Sequence, residues 1–321
     1  MNKQDLSFCI AGAYLRVLFL DDVDGRHYLE TYAPFYVKET KEKLMFTMTV
    51  GDGLVNDEPE GSEVGQFDCG GNNHGVYLLP NGGYKMIISN LNGEKACALR
   101  TNTNFSDCQI SLFGELPNRA FGLNNAMMVA FAFAGAHHNI LLMHSSVALH
   151  DGRGYLFLGK SGTGKSTHND LWNKYIPGTE ILNDDNPAIR IVNGKPFVCG
   201  TPWSGKRNFY RQLSVPIGAY VRLEQAPENI IEKEHKLQGF ATILSSCSTM
   251  IWDKPSYNAI CDTARAVASV IPVFHLKNRP DEEAAKMSFE ACTGKKYVFK
   301  NAEKAWKQSL YLTTYLSLKS K

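Results

Sequence analysis

From about Tyr28 to Leu116 the chain alternates short apolar runs with turn residues, and after Pro117 longer apolar stretches with helical spacing take over. β-Branched and aromatic runs bounded by Gly, Asn, Asp and Pro predict an antiparallel, β-rich region. Leu44–Val50 ends at Gly51-Asp52-Gly53, Gly75–Leu79 at Pro80-Asn81-Gly82-Gly83, and Tyr84–Ile88 at Asn90-Leu91-Asn92-Gly93. Each ending reads as a hairpin turn, because Asn-Gly and Asp-Gly accept positive φ at low cost. The acidic piece Asn56–Gly61 reads as a solvated loop, since its carboxylates lack the spacing of a calcium-binding loop.

Beyond Pro117, Ala, Met and Phe replace the β-branched residues, so a helix is expected from near Arg119. The most apolar stretch, Ala126–Met143, is interrupted by Gly135, His137, His138 and Asn139, which predicts a buried helix passing into a strand and no membrane span. A domain boundary is placed near residue 118: a smaller β-rich (α+β) N-terminal domain over 1–118 and an α/β domain over 119–321. In the second, strands are expected at Leu141–Leu149, Gly154–Leu158, Glu180–Leu182, Ala188–Val192, Pro196–Cys199, Ile217–Leu223 and Pro272–Leu276. Helices are expected after Ser166, around Gly239–Met250 and Ser256–Val270, and from Pro280–Glu283, with a peripheral helix over 295–321.

The strand at Gly154–Leu158 runs directly into Gly159-Lys160-Ser161-Gly162-Thr163-Gly164-Lys165-Ser166, a complete GxxxxGK[ST] phosphate-binding pattern. Glycines at 159, 162 and 164 let backbone N–H groups turn inward around phosphates; Ser161, Thr163 and Thr167 complete the cradle. Lys165 adds a point charge, Ser166 can ligate Mg²⁺, and the helix that follows presents its N-terminal dipole to an anion. A nucleoside triphosphate is the expected ligand, ATP with Mg²⁺.

Global composition adds exclusions. With 34 basic and 32 acidic residues the formal charge is +2, so no overall field points to nucleic acid or to an anionic membrane. Eight cysteines lie scattered without a CxxC pair, as expected of reduced thiols in a cytoplasmic protein, and the N-terminus lacks a signal-peptide pattern. A homo-oligomer is compatible with all of this.

Soon after Lys165 come Ile181-Leu182-Asn183-Asp184-Asp185. One helix and one turn fit between, so the acid-bearing strand is expected beside the phosphate-loop strand. Two carboxylates can divide the work of holding Mg²⁺ and accepting a proton from an attacking hydroxyl; Asp184 is taken as base and Asp185 as metal ligand, an order the sequence leaves reversible. The Asp-Asp-Asn-Pro run is also a turn signal. A Gly/Pro loop, Cys199–Asn208, carries Lys206 and Arg207, either of which can neutralise charge on a transferred phosphoryl group, and Trp203 in it suggests an ordered element. His144 begins a strand that hairpins onto the phosphate-loop strand through Asp151-Gly152, within reach of the same site. His168 is expected to pack, and His137-His138 to point apart.

Met143-His144-Ser145-Ser146, then Gly154–Thr167, then Leu182-Asn183-Asp184-Asp185, in that order, resemble the catalytic domain of HPr serine kinase and its relative phosphoenolpyruvate carboxykinase. The likeness covers residues 141–225, and more loosely the order of elements to 293. It implies an α/β P-loop catalytic domain of that type, with the His strand, the phosphate loop and the acidic pair lining one nucleotide site. By matching positions, Lys165 would bind the β/γ-phosphates, Ser166 Mg²⁺, and the Asp184/Asp185 pair would supply base and second metal contact. The glycine-rich signature of HPr kinase downstream of the acids is not found; the Trp203–Asn208 loop stands there. The resemblance therefore implies a kinase acting on another hydroxyl, of a protein or peptide serine or a small molecule. Two alternatives stay open: a nucleotide-gated regulatory module with little transfer, and carboxykinase-like chemistry.

Overall fold

The structure is a computed structural model that describes residues 4–297 except 22, 39, 70 and 71, and only the backbone of 68, 69, 72, 73 and 206. The first of two large sheets is built from β1 (Gln4–Ile10), β2 (Ala13–Phe19), β3 (Tyr36–Val37), β4 (Leu44–Val50), β5 (Ser62–Cys69), β6 (Asn72–Leu78), β7 (Tyr84–Ser89), β8 (Lys95–Thr101) and β9 (Asp107–Leu112). Their order across the sheet is β3-β1-β2-β4-β9-β8-β7-β6-β5. The β6–β7 and β7–β8 hairpins form at the expected turns.

The turn expected after β4 does not close a hairpin: β4 runs parallel to both β2 and β9. The cause is burial. Met45, Phe46, Met48 and Val50 are all buried, so β4 is a central strand. The chain leaving it is pinned by Gly51 N–H donating to the Ile110 carbonyl and Ser111 Oγ donating to the Gly51 carbonyl. The sheet also starts earlier than the pattern suggested, at Gln4 rather than near Tyr28, and two 3-10 turns, Gly25–Tyr28 and Glu30–Phe35, bridge β2 to β3.

Helix α1 (Leu116–Ala136) lies across this sheet, buried at almost every position from Gly122 onward. Gly122 permits the contact, since a Cβ there would stand 2.6 Å from the Ala96 carbonyl oxygen of β8. Phe131 and Phe133 are among the rings it delivers to the core, each worth about 1.5–3 kcal/mol of burial. The same core takes in Trp203 and Met250 from further along the chain.

The second sheet contains β10 (Ile140–Leu142), β11 (Ser145–His150), β12 (Arg153–Leu158), β13 (Glu180–Asn183), β14 (Ala188–Val192), β15 (Lys195–Cys199), β16 (Ser214–Gln225), β17 (Ile230–Lys233) and β18 (Val273–Asn278). Its order is β10-β14-β15-β16-β12-β11-β13, with β18 on the later part of β16 and β17 on β18. Helices α2 (Lys165–Tyr175), α3 (Lys236–Leu244), α4 (Lys254–Val270) and α5 (Glu282–Thr293) cover it. Period-two alternation in β12 sends Tyr155 and Phe157 toward Trp172 of α2 and Phe289 of α5, and Leu156 and Leu158 toward Ile243 of α3 and Ile260 of α4. Asp253 and Asp281 cap α4 and α5 by accepting the Ser256 and Ala284 N–H groups.

Three expectations need correction here. The Leu141–Leu149 run divides at His144 into β10 and β11. The acid strand β13 does not lie beside the glycine-loop strand β12; β11 stands between them. The Asp151-Gly152 turn, with both residues at positive φ, folds β11 tightly onto β12, which leaves β13 only the far edge of β11. Helix α3 stops at Leu244 because the chain after it turns to pair with the 142–144 segment, Ser248 N–H donating to the Leu142 carbonyl. Most of the helix expected over 295–321 falls outside the described residues.

Candidate active site

Strand β12 ends at Leu158 and the glycine-rich loop begins at once. Gly159, Gly162 and Gly164 have φ of 149°, 80° and 98°, which costs glycine nothing and other residues a good deal. A Cβ on Gly159 would also stand 2.5 Å from Thr163 Oγ1. Thr163 Oγ1 donates to the Lys160 carbonyl at 2.8 Å and Gln225 Nε2 to the Gly162 carbonyl at 3.2 Å, bracing the loop from inside and from β16. Ser161, Gly162 and Thr167 remain exposed. Gly164 caps α2 without a side-chain acceptor, so the first-turn amides have no side chain closing them.

Lys165 is the first residue of α2 and only 8% exposed. Its Nζ donates to the Gly159 and Lys160 carbonyls at 3.0 and 3.3 Å. Burial pushes its pKa down, against the opposing pull of Asp185 and Asp184. Beside it, Ser166 Oγ donates to Asp184 Oδ1 at 2.9 Å. Asp184 is 4% exposed, and its other oxygen stands 3.5 Å from Arg207 Nη1.

Asp185 is held differently. Its φ of 92° places a non-glycine residue in the left-handed region, the kind of strain that persists only where neighbours enforce it. Ser145 N–H donates to its carbonyl at 2.8 Å, and Asn186 Nδ2 to Oδ2 at 2.9 Å. His144 Nε2 lies 3.3 Å from Oδ1, with both side chains well exposed, 43% and 38%. The His144 N–H donates to the Ser246 carbonyl, so the β10–β11 break aims this ring.

The basic loop is fixed by its apolar anchor. Trp203, 3% exposed, packs on Phe131 at 5.0 Å and edge-on to Tyr32 at 5.9 Å between ring centroids. From a 3-10 turn, Gly205–Arg207, the Arg207 guanidinium reaches Asp170 on α2 at 2.6 Å as well as Asp184. The Asp170 bond, ahead of the Asp184 charge, raises the pKa of Arg207. The Lys206 side chain lies outside the described residues. Thus His144, the loop 159–167, Asp184, Asp185 and Arg207 converge on one end of the second sheet.

Two contributors were not singled out from the sequence. Asn183, fully buried, accepts the Thr201 N–H at 2.7 Å and so ties the acid strand to the start of the basic loop. Asp170 carried a usable signal, since it stands four residues after Ser166 on the same face of α2. His168 belongs to the core, as expected: its Nε2 meets Ser288 Oγ at 2.9 Å, and burial lowers its pKa to about 3. Among the described residues no group of three or more His, Cys, Asp or Glu is arranged to hold a metal, and no helix is long and apolar enough to cross a membrane.

No protein-family model matches the chain, and no curated protein matches it. Among solved structures it is similar to the Hpr(Ser) kinase/phosphatase from Coxiella burnetii, over 54% of this chain and 96% of that one, at 12% identity and a TM-score of 0.28. A TM-score that low does not establish a shared fold. What stands is a mixed α/β protein with two large sheets.

Proposed function

We propose that this protein is an ATP- and Mg²⁺-dependent phosphotransferase that moves the γ-phosphate to a hydroxyl of a protein or peptide serine or of a small molecule, in the cytoplasm. The observation that carries the reading is the Ser166–Asp184–Arg207 chain, with hydrogen-bond and ion-pair distances of 2.9 and 3.5 Å, set beside a buried lysine whose Nζ, among the described residues, hydrogen-bonds to loop carbonyls alone. A lysine so placed exchanges those carbonyls for β/γ-phosphate oxygens, while the loop and first-turn amides supply further donors. Ser166 and Asp184 are the oxygen donors that fit a divalent cation, and Mg²⁺ bound there would neutralise phosphate charge.

Asp184 is engaged by Ser166 and Arg207, whereas Asp185 is open and pairs with His144. This favours the reverse of the order taken from the sequence, with Asp184 at the metal and Asp185, oriented by His144, accepting the acceptor's proton. Arg207, bridging Asp184 and Asp170, is placed to steady charge on the transferred group.

The test is transfer from γ-labelled ATP into lysate fractions separated as proteins and small metabolites, with Asp184→Asn and Asp185→Asn in parallel. Asp185→Asn should lower transfer about 10²–10⁴-fold and keep Mg²⁺-dependent ATP binding. Asp184→Asn should weaken that binding as well. Transfer unchanged in both variants removes the mechanism; tight ATP binding by wild type with no transfer to any fraction favours a nucleotide-gated regulatory module instead.

A further inference from the structure

Away from this site, the first sheet carries a cavity of about 190 Å³ where the Gly25–Phe35 turns cross β1. Its walls include Phe8 and Leu29, both buried, together with Ala33 and the half-open ring of Tyr36. Phe8 and Tyr36 meet edge to face at 6.2 Å and make one side of the cavity aromatic. Arg26 and Glu30 line it too, one cation and one anion, and neither has an ion-pair partner within 4.0 Å among the described residues. The Arg26 guanidinium lies 5.9 Å from the Tyr36 ring centroid, so it is held toward the aromatic wall.

An apolar cavity of about 150 Å³ accepts a benzene-sized body, so this one suits a single aromatic ring or a branched aliphatic group. Pockets take their selectivity from a few polar groups placed on an apolar lining, and here those groups have opposite charge. We propose that this cavity binds a small zwitterion with an aromatic or branched apolar body, an α-amino acid of the phenylalanine or leucine class, with its carboxylate on Arg26 and its ammonium on Glu30.

The cavity wall is also a clamp on the active-site loop. Phe8 packs edge-on to Tyr32 at 5.4 Å, and Tyr32 edge-on to Trp203 at 5.9 Å; one turn further along, Phe35 stacks on Tyr210 at 6.2 Å. The Glu30–Phe35 turn thus lines the cavity with Glu30 and Ala33 and grips the basic loop with Tyr32 and Phe35. Between Trp203 and Tyr210 that loop carries Arg207, and the Phe209 carbonyl accepts the Asp184 N–H at 2.9 Å. A ligand against Phe8 and Ala33 therefore biases the seating of Arg207 and Asp184 through packed rings. This second step rests on the phosphotransfer reading; ligand binding does not.

The test is calorimetric titration of L-phenylalanine and L-leucine into the full chain, with phenylacetate and phenethylamine as probes that lack one charge. Saturable binding of an amino acid is expected, with affinity lower by about tenfold or more for either single-charge probe and in Arg26→Ala or Glu30→Ala. Ala33→Trp, checked by circular dichroism to be folded, should abolish it. The amino acid should also shift tryptophan fluorescence in wild type and not in Trp203→Phe. Absence of saturable binding by folded wild type overturns the proposal, as does binding unchanged in both Arg26→Ala and Glu30→Ala. Amino-acid binding without phosphotransfer to any fraction removes the kinase reading and leaves the site standing; phosphotransfer without amino-acid binding does the reverse.

Discussion

Two lysines are buried among the described residues, Lys85 in the first sheet and Lys165 at the start of α2 on the second, and they are held in opposite ways. Lys85 of β7 is fully buried, and its Nζ meets the Asn56 side chain and, at 3.4 Å, Glu60, a carboxylate that Arg100 also grips. Lys165 is nearly as buried, yet among the described residues its Nζ hydrogen-bonds only to two loop carbonyls, and burial depresses its pKa against the weaker pull of Asp185 and Asp184. The scaffold lysine reaches a half-exposed carboxylate at the surface. The lysine beside an exposed glycine-rich loop keeps its charge in an unfavourable setting that an anionic ligand would relieve. Burial alone does not separate the two lysines; their partners do.

The strongest test of that contrast is Lys165→Met. Phosphotransfer should fall about a thousandfold, while stability to denaturant stays level or rises, because the variant no longer buries an ammonium group that has, among the described residues, no carboxylate within ion-pair distance and only the longer-range pull of Asp185 and Asp184. A fall in stability with activity retained would place Lys165 with Lys85.

A third buried base sharpens the comparison through pH. His168, sealed against Ser288 and held neutral with a pKa of about 3, refuses a proton that the unfolded chain takes near 6.5. Between those values the unfolded state binds more protons, so stability declines as pH falls. Urea titrations from pH 7 to pH 4 should show that decline in wild type and a shallower one in His168→Gln. Equal slopes would mean that His168 is not sealed.

The smallest effect is expected for Lys85→Met. Asn56 and Glu60 lose a donor, but Glu60 keeps Arg100, so Tm should drop by only about 3 °C, with phosphotransfer unaltered. Loss of transfer in a folded Lys85→Met protein would break the division between scaffold and site.

Much of the site could be read along the chain because its parts are local. A strand, three glycines, a lysine and a serine in fixed spacing lie within a few residues of one another, and glycine is what permits the positive φ found at Gly162 and Gly164. The hairpins on either side of β7 were legible for the same reason, since a turn motif fixes its own pairing. The parallel pairing of β2, β4 and β9 was not, nor was the insertion of β11 between the loop strand and the acid strand. The first is set by which neighbours bury a strand's apolar residues, a choice its own residues do not encode; in the second the Asp151-Gly152 hairpin was legible, and what was not is that it takes the edge of β12 and leaves β13 the far edge of β11.

The chain's own order of residues determined the hydrophobic periods, the glycine-rich loop, the acidic pair and the basic loop, because each depends on backbone geometry over a few neighbouring residues. Tertiary structure alone decided how the two acids differ. Asp184 is drawn under Ser166 and Arg207, which lie 18 residues before and 23 after it, while Asp185 is turned by a left-handed φ toward His144. Adjacent carboxylates are chemically identical until long-range packing assigns one to the interior and the other to solvent.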